Sequence, residues 1–316
     1  MSEKTIKTVE IVQKSPCGDK EHIAITRLQE AARTSEKFYK NPLIITTSGG
    51  KDSSVCVELA LRAGIDFEIM HNHTTADAPE TVRFIRSEFK RLEDMGFPSD
   101  QIIVNYPVYK QKRVSMWSLI PQKLMPPTRL VRYCCSILKE RGGQGRYITT
   151  GVRWAESAKR QKRGIYETIN SDPSKKVVLN NDNDDRRRLF ETCSLQHKAV
   201  CNPIIDWSDS DVWEFIEDAK IPVNPLYQCG FSRVGCIGCP MAGKKGRQKE
   251  FARYPKYQEL YIKAFDRMLE ERARRGKLSG SWNMGTTGKD VFYWWMEDGT
   301  LPGQIELEDY EEDIDE

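Results

Sequence analysis

Two sets of residues in this chain have the types and spacing to do chemistry. The first is Ser48-Gly49-Gly50-Lys51-Asp52-Ser53, in which glycines are followed at once by an amine, a carboxylate and a hydroxyl. Glycines let the backbone turn tightly and bring its N–H groups close to an anion, and a helix that follows offers its positive N-terminal end. Ser48 and Ser53 add hydroxyl donors, Lys51 a countercharge and Asp52 a carboxylate for Mg2+, so the segment has the makings of a pyrophosphate cradle. It follows neither the G-x-x-x-x-G-K-[ST] pattern of kinases and GTPases nor the G-x-G-x-x-G pattern of dinucleotide folds. The second set is Cys134-Cys135 and, far downstream, Cys236-Ile237-Gly238-Cys239, with Cys229 just before it. A C-x-x-C turn places two thiolates on one metal, and a second pair brought alongside completes a four-sulfur site that suits zinc or an iron–sulfur cluster.

These residues need elements to hold them. Leu43 to Thr47 is a short apolar, β-branched run that reads as a buried strand entering the glycine turn. Ser53 to Ala63 then reads as a helix ended by Gly64, and Phe67 to His71 as the next strand. Strand, turn, helix, strand is the local signature of an α/β doubly wound parallel sheet. The alternation continues with helices at Pro79 to Met95 and Tyr133 to Lys139, and with strands at Ile102 to Tyr106 and Tyr147 to Val152. A helix is expected from His22 to Tyr39, another from Asp209 to Ala219, and one long charged helix from Lys249 to Arg275. Ser171 to Arg188, polar and without apolar period, reads as an exposed insertion. The expected domains are a helical segment (1–40), a nucleotide-binding domain (41–223), a cysteine-bearing helical subdomain (224–305) and an acidic tail (306–316).

A chain of 316 residues with 39% hydrophobic content can bury a sizeable core without disulfides. No apolar run approaches the roughly 20 residues that span a bilayer, and residues 1–14 lack the apolar centre of a secretory signal. A cytoplasmic protein with no membrane partner is expected, and in that reducing compartment clustered cysteines point to metal or thiol chemistry. Cys56, Cys193 and Cys201 read as buried structural thiols, while Cys229 is either a fifth ligand or a reactive thiol. The net charge of +3 hides basic runs around Arg160, Arg187 and Lys245; each alone reads as a solvated face, and together they leave room for a polyanionic partner such as a nucleic acid. His71 and His73 flank a strand end, where packing is the default reading. Trp282, Trp294 and Trp295 read as core.

The Ser48 to Ser53 segment resembles the PP-loop of the ATP pyrophosphatase (adenine nucleotide alpha-hydrolase) superfamily, and in particular the phosphoadenylyl-sulfate (PAPS) reductase family. Further stretches are similar to that family in its order: His71 to Thr81 ending in Pro-Glu-Thr, Gly151-Val152-Arg153-Trp154-Ala155-Glu156-Ser157 with Arg160, Asn202 to Trp207 with Asp211-Val212-Trp213, and the cysteine set. The resemblance implies a Rossmann-like (HUP-type) sheet. It also implies an ATP or adenylyl-nucleotide site with Mg2+ at Ser48, Gly49, Gly50, Lys51, Asp52, Ser53, Thr74, Thr75, Gly151 and Arg153, and catalytic parts for Lys51, Asp52, Arg153, Arg160 and Cys229. Guanidinium forks suit phosphate or sulfate oxygens. Cys134, Cys135, Cys236 and Cys239 look like the [4Fe–4S] site of adenylyl-sulfate reductases, with zinc as the alternative. Those reductases attack the sulfate sulfur with a cysteine in a C-terminal motif, and this sequence has no cysteine after Cys239. The leading expectation is therefore an enzyme that adenylates an acceptor, releasing pyrophosphate, for sulfur transfer from a donor protein. A thioredoxin-linked sulfonucleotide reductase is the alternative, and a non-catalytic binding module the third.

Overall fold

Leu43–Thr47 forms the strand its β-branched and apolar residues predict, with Leu43, Ile44 and Ile45 fully buried. The computed structural model that shows this describes residues 18–169, 178–179, 198–278 and 282–297. Two compact units divide the chain, which passes from one to the other at Ile69–Met70, Gln144–Gly145 and Val223–Asn224. Each unit is thus assembled from separated stretches of sequence, a division that a contiguous cut does not express.

In the first unit, β1 (Leu43–Thr47) lies parallel to β6 (Tyr147–Thr149), with Ile44 opposite Ile148. Strand β6 lies parallel to β9 (Lys198–Cys201). Strands buried on both faces as near-continuous apolar runs are what a parallel sheet covered by helices requires. Beyond β9 the sheet changes character, because β7 (Tyr166–Ile169) pairs with it antiparallel and β8 (Val178–Leu179) pairs antiparallel with β7. The sheet is mostly parallel with an antiparallel margin. Val178–Leu179 interrupts the stretch expected to be an insertion, and most of that stretch, with Arg187 and Cys193, lies outside the described residues.

Helix α1 (Gly18–Thr34) buries Ala24, Leu28 and Ala31 on one face and carries a buried Arg27. That guanidinium binds Asp206 bidentately at 2.9 and 3.0 Å and the Pro203 carbonyl at 3.0 Å, which ties α1 to the turn after β9. Paired in this way a buried charge is tolerated, and alone it would not be. Helix α2 (Lys51–Arg62) starts straight out of the glycine turn, and α7 (Asp209–Asp218) starts from a capping box between Ser208 and Asp211.

The second unit is mainly helical. It holds α3 (Pro79–Asp94), β3 (Ile102–Asn105), a short hairpin of β4 (Val108–Tyr109) and β5 (Lys112–Arg113), α4 (Met116–Lys123) and α5 (Tyr133–Leu138). Its later stretch adds α8 (Gly243–Arg253), α9 (Pro255–Arg274) and α10 (Gly288–Met296). The single charged helix expected over 249–275 is instead two, since Pro255 lacks the N–H that would continue α8 and starts α9 at its first position. Tyr261, Phe265, Met268, Leu119, Ile137, Phe251, Phe292 and Trp295 share one core, and Trp282 is buried as expected. Arg247, counted from sequence in a basic surface run, is fully buried, donating to the Trp295 carbonyl at 2.7 Å at the end of α10. Among the described residues, no helix is long and apolar enough to cross a membrane.

Burial also raises the Glu250 carboxyl on α8 to about 7, while the Gly238 N–H donating to it at 2.7 Å opposes that rise. The folded chain therefore keeps a proton that the unfolded chain releases near 4.5, so this contribution to stability is complete below about pH 4.5 and is lost as pH rises through about 7. Glu250→Gln, neutral throughout and still able to accept from Gly238, should flatten that dependence. Over the same window, chemical denaturation should show wild type losing about 1–3 kcal/mol relative to the variant. Parallel curves would mean that the folded carboxyl ionises normally.

Candidate functional site

The glycine turn of the first unit is built for close approach. Gly49 has φ +74°, a conformation that side chains rarely adopt, and Gly50 caps α2 from an extended conformation. Ser53 Oγ donates to the Gly50 carbonyl at 2.8 Å and accepts from the Ser48 N–H at 3.2 Å, so the hydroxyl holds the turn's two ends together.

Around this turn the first unit gathers charge. Lys51 and Arg153 are 7% and 3% exposed. Arg153 Nε donates to Asp52 Oδ1 at 2.7 Å, one terminal nitrogen reaches Asp209 Oδ1 at 2.9 Å, and the other reaches the Trp207 carbonyl at 3.3 Å. Lys51 Nζ lies 3.2 Å from Asp52 and 2.9 Å from Asp209. Two buried cations and two carboxylates thus form one ring of contacts over the N-terminus of α2. The hydrogen bond from Lys51, with Arg153 beside it, holds the Asp209 carboxyl below the usual carboxylate range. Gly151 makes the approach of the Arg153 loop feasible, because a Cβ there would stand 2.8 Å from the Asp52 carbonyl carbon.

Not every expected residue joins this ring. Arg160 is ion-paired with Glu156, whose Oε2 also accepts from the Arg153 N–H at 2.9 Å, so it stands one carboxylate away. Asp209 was legible only as an acidic helix start. Its signal is indirect: two cations buried at one turn need more negative charge than Asp52 alone supplies.

Thr74 and Thr75 belong to the second unit and have local partners there. Thr74 Oγ1 lies 3.3 Å from Cys236 Sγ, which donates to it, and Thr75, at φ +64°, accepts from the Met116 N–H that opens α4.

The same unit brings Cys134 and Cys135 to one cavity with Cys236 and Cys239, lined also by Lys139 and Tyr261. The C-x-x-C turn is held at every step: Ile237 N–H donates to the Ala76 carbonyl at 2.7 Å, Tyr261 Oη to the Ile237 carbonyl at 2.9 Å, and Gly238 N–H to Glu250 at 2.7 Å. Gly238 needs both its φ of +72° and its missing side chain, since a Cβ would lie 2.7–3.0 Å from Phe251, Tyr261 and Trp295. A hydrogen bond from Cys134 lowers the Cys135 thiol to about 6, with Lys139 and Arg132 helping, whereas burial raises Cys236 to about 11. Negative charge on Cys236 in turn raises the Lys139 ammonium. Cys229 is exposed and does not line this cavity, whose cysteines are Cys134, Cys135, Cys236 and Cys239. Cys56 and Cys201 are buried in the first unit. Among the described residues, His71, His73 and Asp77 form a group of three donors whose ligand atoms lie within 4.8 Å of one another.

The family model of the phosphoadenosine phosphosulfate reductase domain matches residues 42–242, a span that holds the charged ring and all four cavity cysteines. The chain belongs to this family. An uncharacterized protein of Methanocaldococcus jannaschii is 29% identical over 254 residues, covering 76% of this chain and 51% of the relative. The adenosine 5'-phosphosulfate reductase of Geobacillus kaustophilus is 24% identical over 208 residues, 64% of this chain and 74% of that enzyme. The chain spans about half the length of the first curated relatives it matches. A solved PAPS reductase from Candida auris, in complex with phosphate, covers 71% of this chain and 97% of its own at 16% identity and a TM-score of 0.42.

The close approach at Gly151 gives a direct test within this PAPS reductase domain. Gly151→Ala should push the Arg153 loop off Asp52 and cost about 1–3 kcal/mol of stability. The loss should be matched by Arg153→Ala in the same background adding less than it does in wild type. Full additivity of the two substitutions in a double-mutant cycle would show that the contact does not position Arg153.

Proposed function

We propose that this chain is an enzyme that binds Mg2+–ATP at the Ser48 to Ser53 loop and adenylates an acceptor for sulfur transfer. The observation that carries the reading is the ring of Lys51, Arg153, Asp52 and Asp209 at the glycine turn. Buried cations beside turn amides and a helix N-terminus suit phosphate oxygens, and the carboxylates beside them suit the Mg2+ that a triphosphate brings. Phosphates would take over the cations, and Asp52 would turn to the metal.

In the reaction so read, a nucleophilic oxygen of the acceptor bonds to the α-phosphorus, and the bond to the β-bridging oxygen breaks. Pyrophosphate leaves with that electron pair. Lys51 and Arg153 stabilise the charge that develops on the transferring phosphate. A sulfide nucleophile then displaces AMP from the activated carbon, the carbon–sulfur bond forming as the carbon–oxygen bond breaks; where a persulfide attacks instead, a second thiol splits the resulting S–S bond and leaves as a disulfide with the donor. In this reading Cys229, exposed and outside the four-cysteine cavity, carries the incoming sulfur. The acceptor class to try first is a nucleic acid, on the strength of the basic residues around Arg160 and Lys245.

The four cavity cysteines offer the thiolates that a [4Fe–4S] cluster takes, with zinc as the alternative on the same donor set. They line one cavity together with Lys139. When bound, such a cluster supplies one-electron redox capacity and polarisable charge beside that amine. The matched adenosine 5'-phosphosulfate reductases favour a second reading, in which the substrate is a sulfonucleotide and the product sulfite.

Anaerobic protein offered ATP, Mg2+, nucleic acid and sulfide should release AMP and pyrophosphate together, and Lys51→Ala should weaken ATP binding by about 1.5–3 kcal/mol. Sulfite release from a sulfonucleotide with thioredoxin, and no pyrophosphate from ATP, would establish the second reading instead. Iron and acid-labile sulfide should copurify with the wild type and be lost in Cys236→Ser and Cys239→Ser. Stoichiometric zinc without iron would replace the cluster with a zinc site.

A further inference from the structure

Strand β2 (Phe67–Asn72) and the residues after it put two imidazoles and a carboxylate together outside both sites described above. His71 is the last residue but one of the strand and His73 follows two residues later, so along extended chain both side chains leave the backbone on the same side. Their ring centroids are 6.4 Å apart. The turn then brings Asp77 back to them. Its Oδ2 accepts from the Thr74 N–H at 2.9 Å and lies 4.0 Å from His73 Nδ1.

Asp77 is fixed from its other side as well. It forms a backbone bridge with Cys236, and its carbonyl accepts from Tyr257 Oη at 2.6 Å. The carboxylate is 7% exposed and His71 4%, whereas the His73 side chain is 27% exposed and leaves a way in. The ligand atoms of all three residues lie within 4.8 Å of one another.

We infer that His71, His73 and Asp77 bind a first-row divalent transition-metal ion, with coordination positions left open for water or another small ligand. Two neutral imidazoles and one carboxylate are a donor set for zinc, iron(II) or manganese(II), and three protein ligands do not fill a four- to six-coordinate shell. The hydrogen bond from Thr74 N–H orients the carboxylate as outer-shell partners of metal sites do. Metal–ligand distances of about 2.0–2.2 Å require the three donors to draw in from their present spacing, and His73, at the exposed edge, is the one with room to move. The site is composed wholly of second-unit residues and does not rest on the nucleotide reading.

Cobalt(II) is the probe, because its spectrum tells thiolate ligands from nitrogen and oxygen ligands. The full chain, purified anaerobically with its iron content measured, is titrated with Co2+ and then challenged with Zn2+. One equivalent should bind with d–d bands and no thiolate-to-cobalt charge transfer, and Zn2+ should displace it. His73→Ala should weaken this binding at least about 100-fold, the upper end of what losing even an outer-shell partner costs, with iron content and far-UV circular dichroism unchanged. Asp77→Asn, which keeps an acceptor for Thr74 N–H, should weaken it too and guards against a general effect of the histidine change. Charge-transfer bands at the first equivalent would place the ion on the cysteines and overturn the inference. So would no binding, or equal affinity in His73→Ala and wild type.

Discussion

A guanidinium cannot leave water without partners, and Arg153 has given up nearly all of its contact with solvent. Each of its three nitrogens donates to one partner, Asp52, Asp209 or the Trp207 carbonyl, which come from the start of α2, the start of α7 and the turn before it. The first unit is therefore assembled around one planar cation. Gly151 has to lack a side chain for the loop to approach, Gly49 has to take a positive φ for the turn to close, and α7 has to begin at Ser208 for Asp209 to face the ring. A set of charges already balanced can exchange one anionic partner for another without exposing a bare charge, which is what anion binding at this turn would demand.

The second unit solves a different constraint with similar means. Thiols at 134, 135, 236 and 239 must face one cavity, and the C-x-x-C turn that carries two of them is pinned by Ala76, Tyr261 and Glu250. Aromatic rings close in on Gly238 so tightly that the turn has no freedom left. The electrostatics are asymmetric: Cys135 is lowered by its neighbour Cys134 and the cations around it, while Cys236 is raised by burial.

Much of this was legible in the residues themselves. The β-branched run before the glycine turn, the apolar period of α2 and α3, and the spacing of the cysteines each have local causes, and they appear where local physics puts them. What could not be read is what depends on distant partners. Asp209 looks like any acidic residue opening a helix until Arg153 and Lys51 arrive. Arg247 sits in a run of basic residues that reads as a solvated face, but the end of α10 offers it carbonyls and an indole to lie against. Lys139 follows the paired cysteines as an ordinary helix-end lysine, and only the cavity shows why its charge is placed there. The expected long helix failed for a local reason that was present and under-weighted, the proline at 255.

The path of the chain between its two units bears on how the protein comes to be made. Synthesis delivers Met70–Gln144 long before Asn224, yet Leu119, Ile137 and Leu138 are buried against residues such as Phe265, Met268 and Trp295. Until those residues emerge, the apolar face of the early segment and the thiols of Cys134 and Cys135 have nothing to cover them. Nor can the first unit finish early, since β1 waits for β6 and β6 for β9. Closing such long loops delays the native contacts that reward it, so folding should be slow and largely post-translational, with the nascent chain a client for chaperones. A fragment cut at Val223 would inherit this exposed face permanently and should aggregate, even though the glycine turn and its charged ring lie wholly within it.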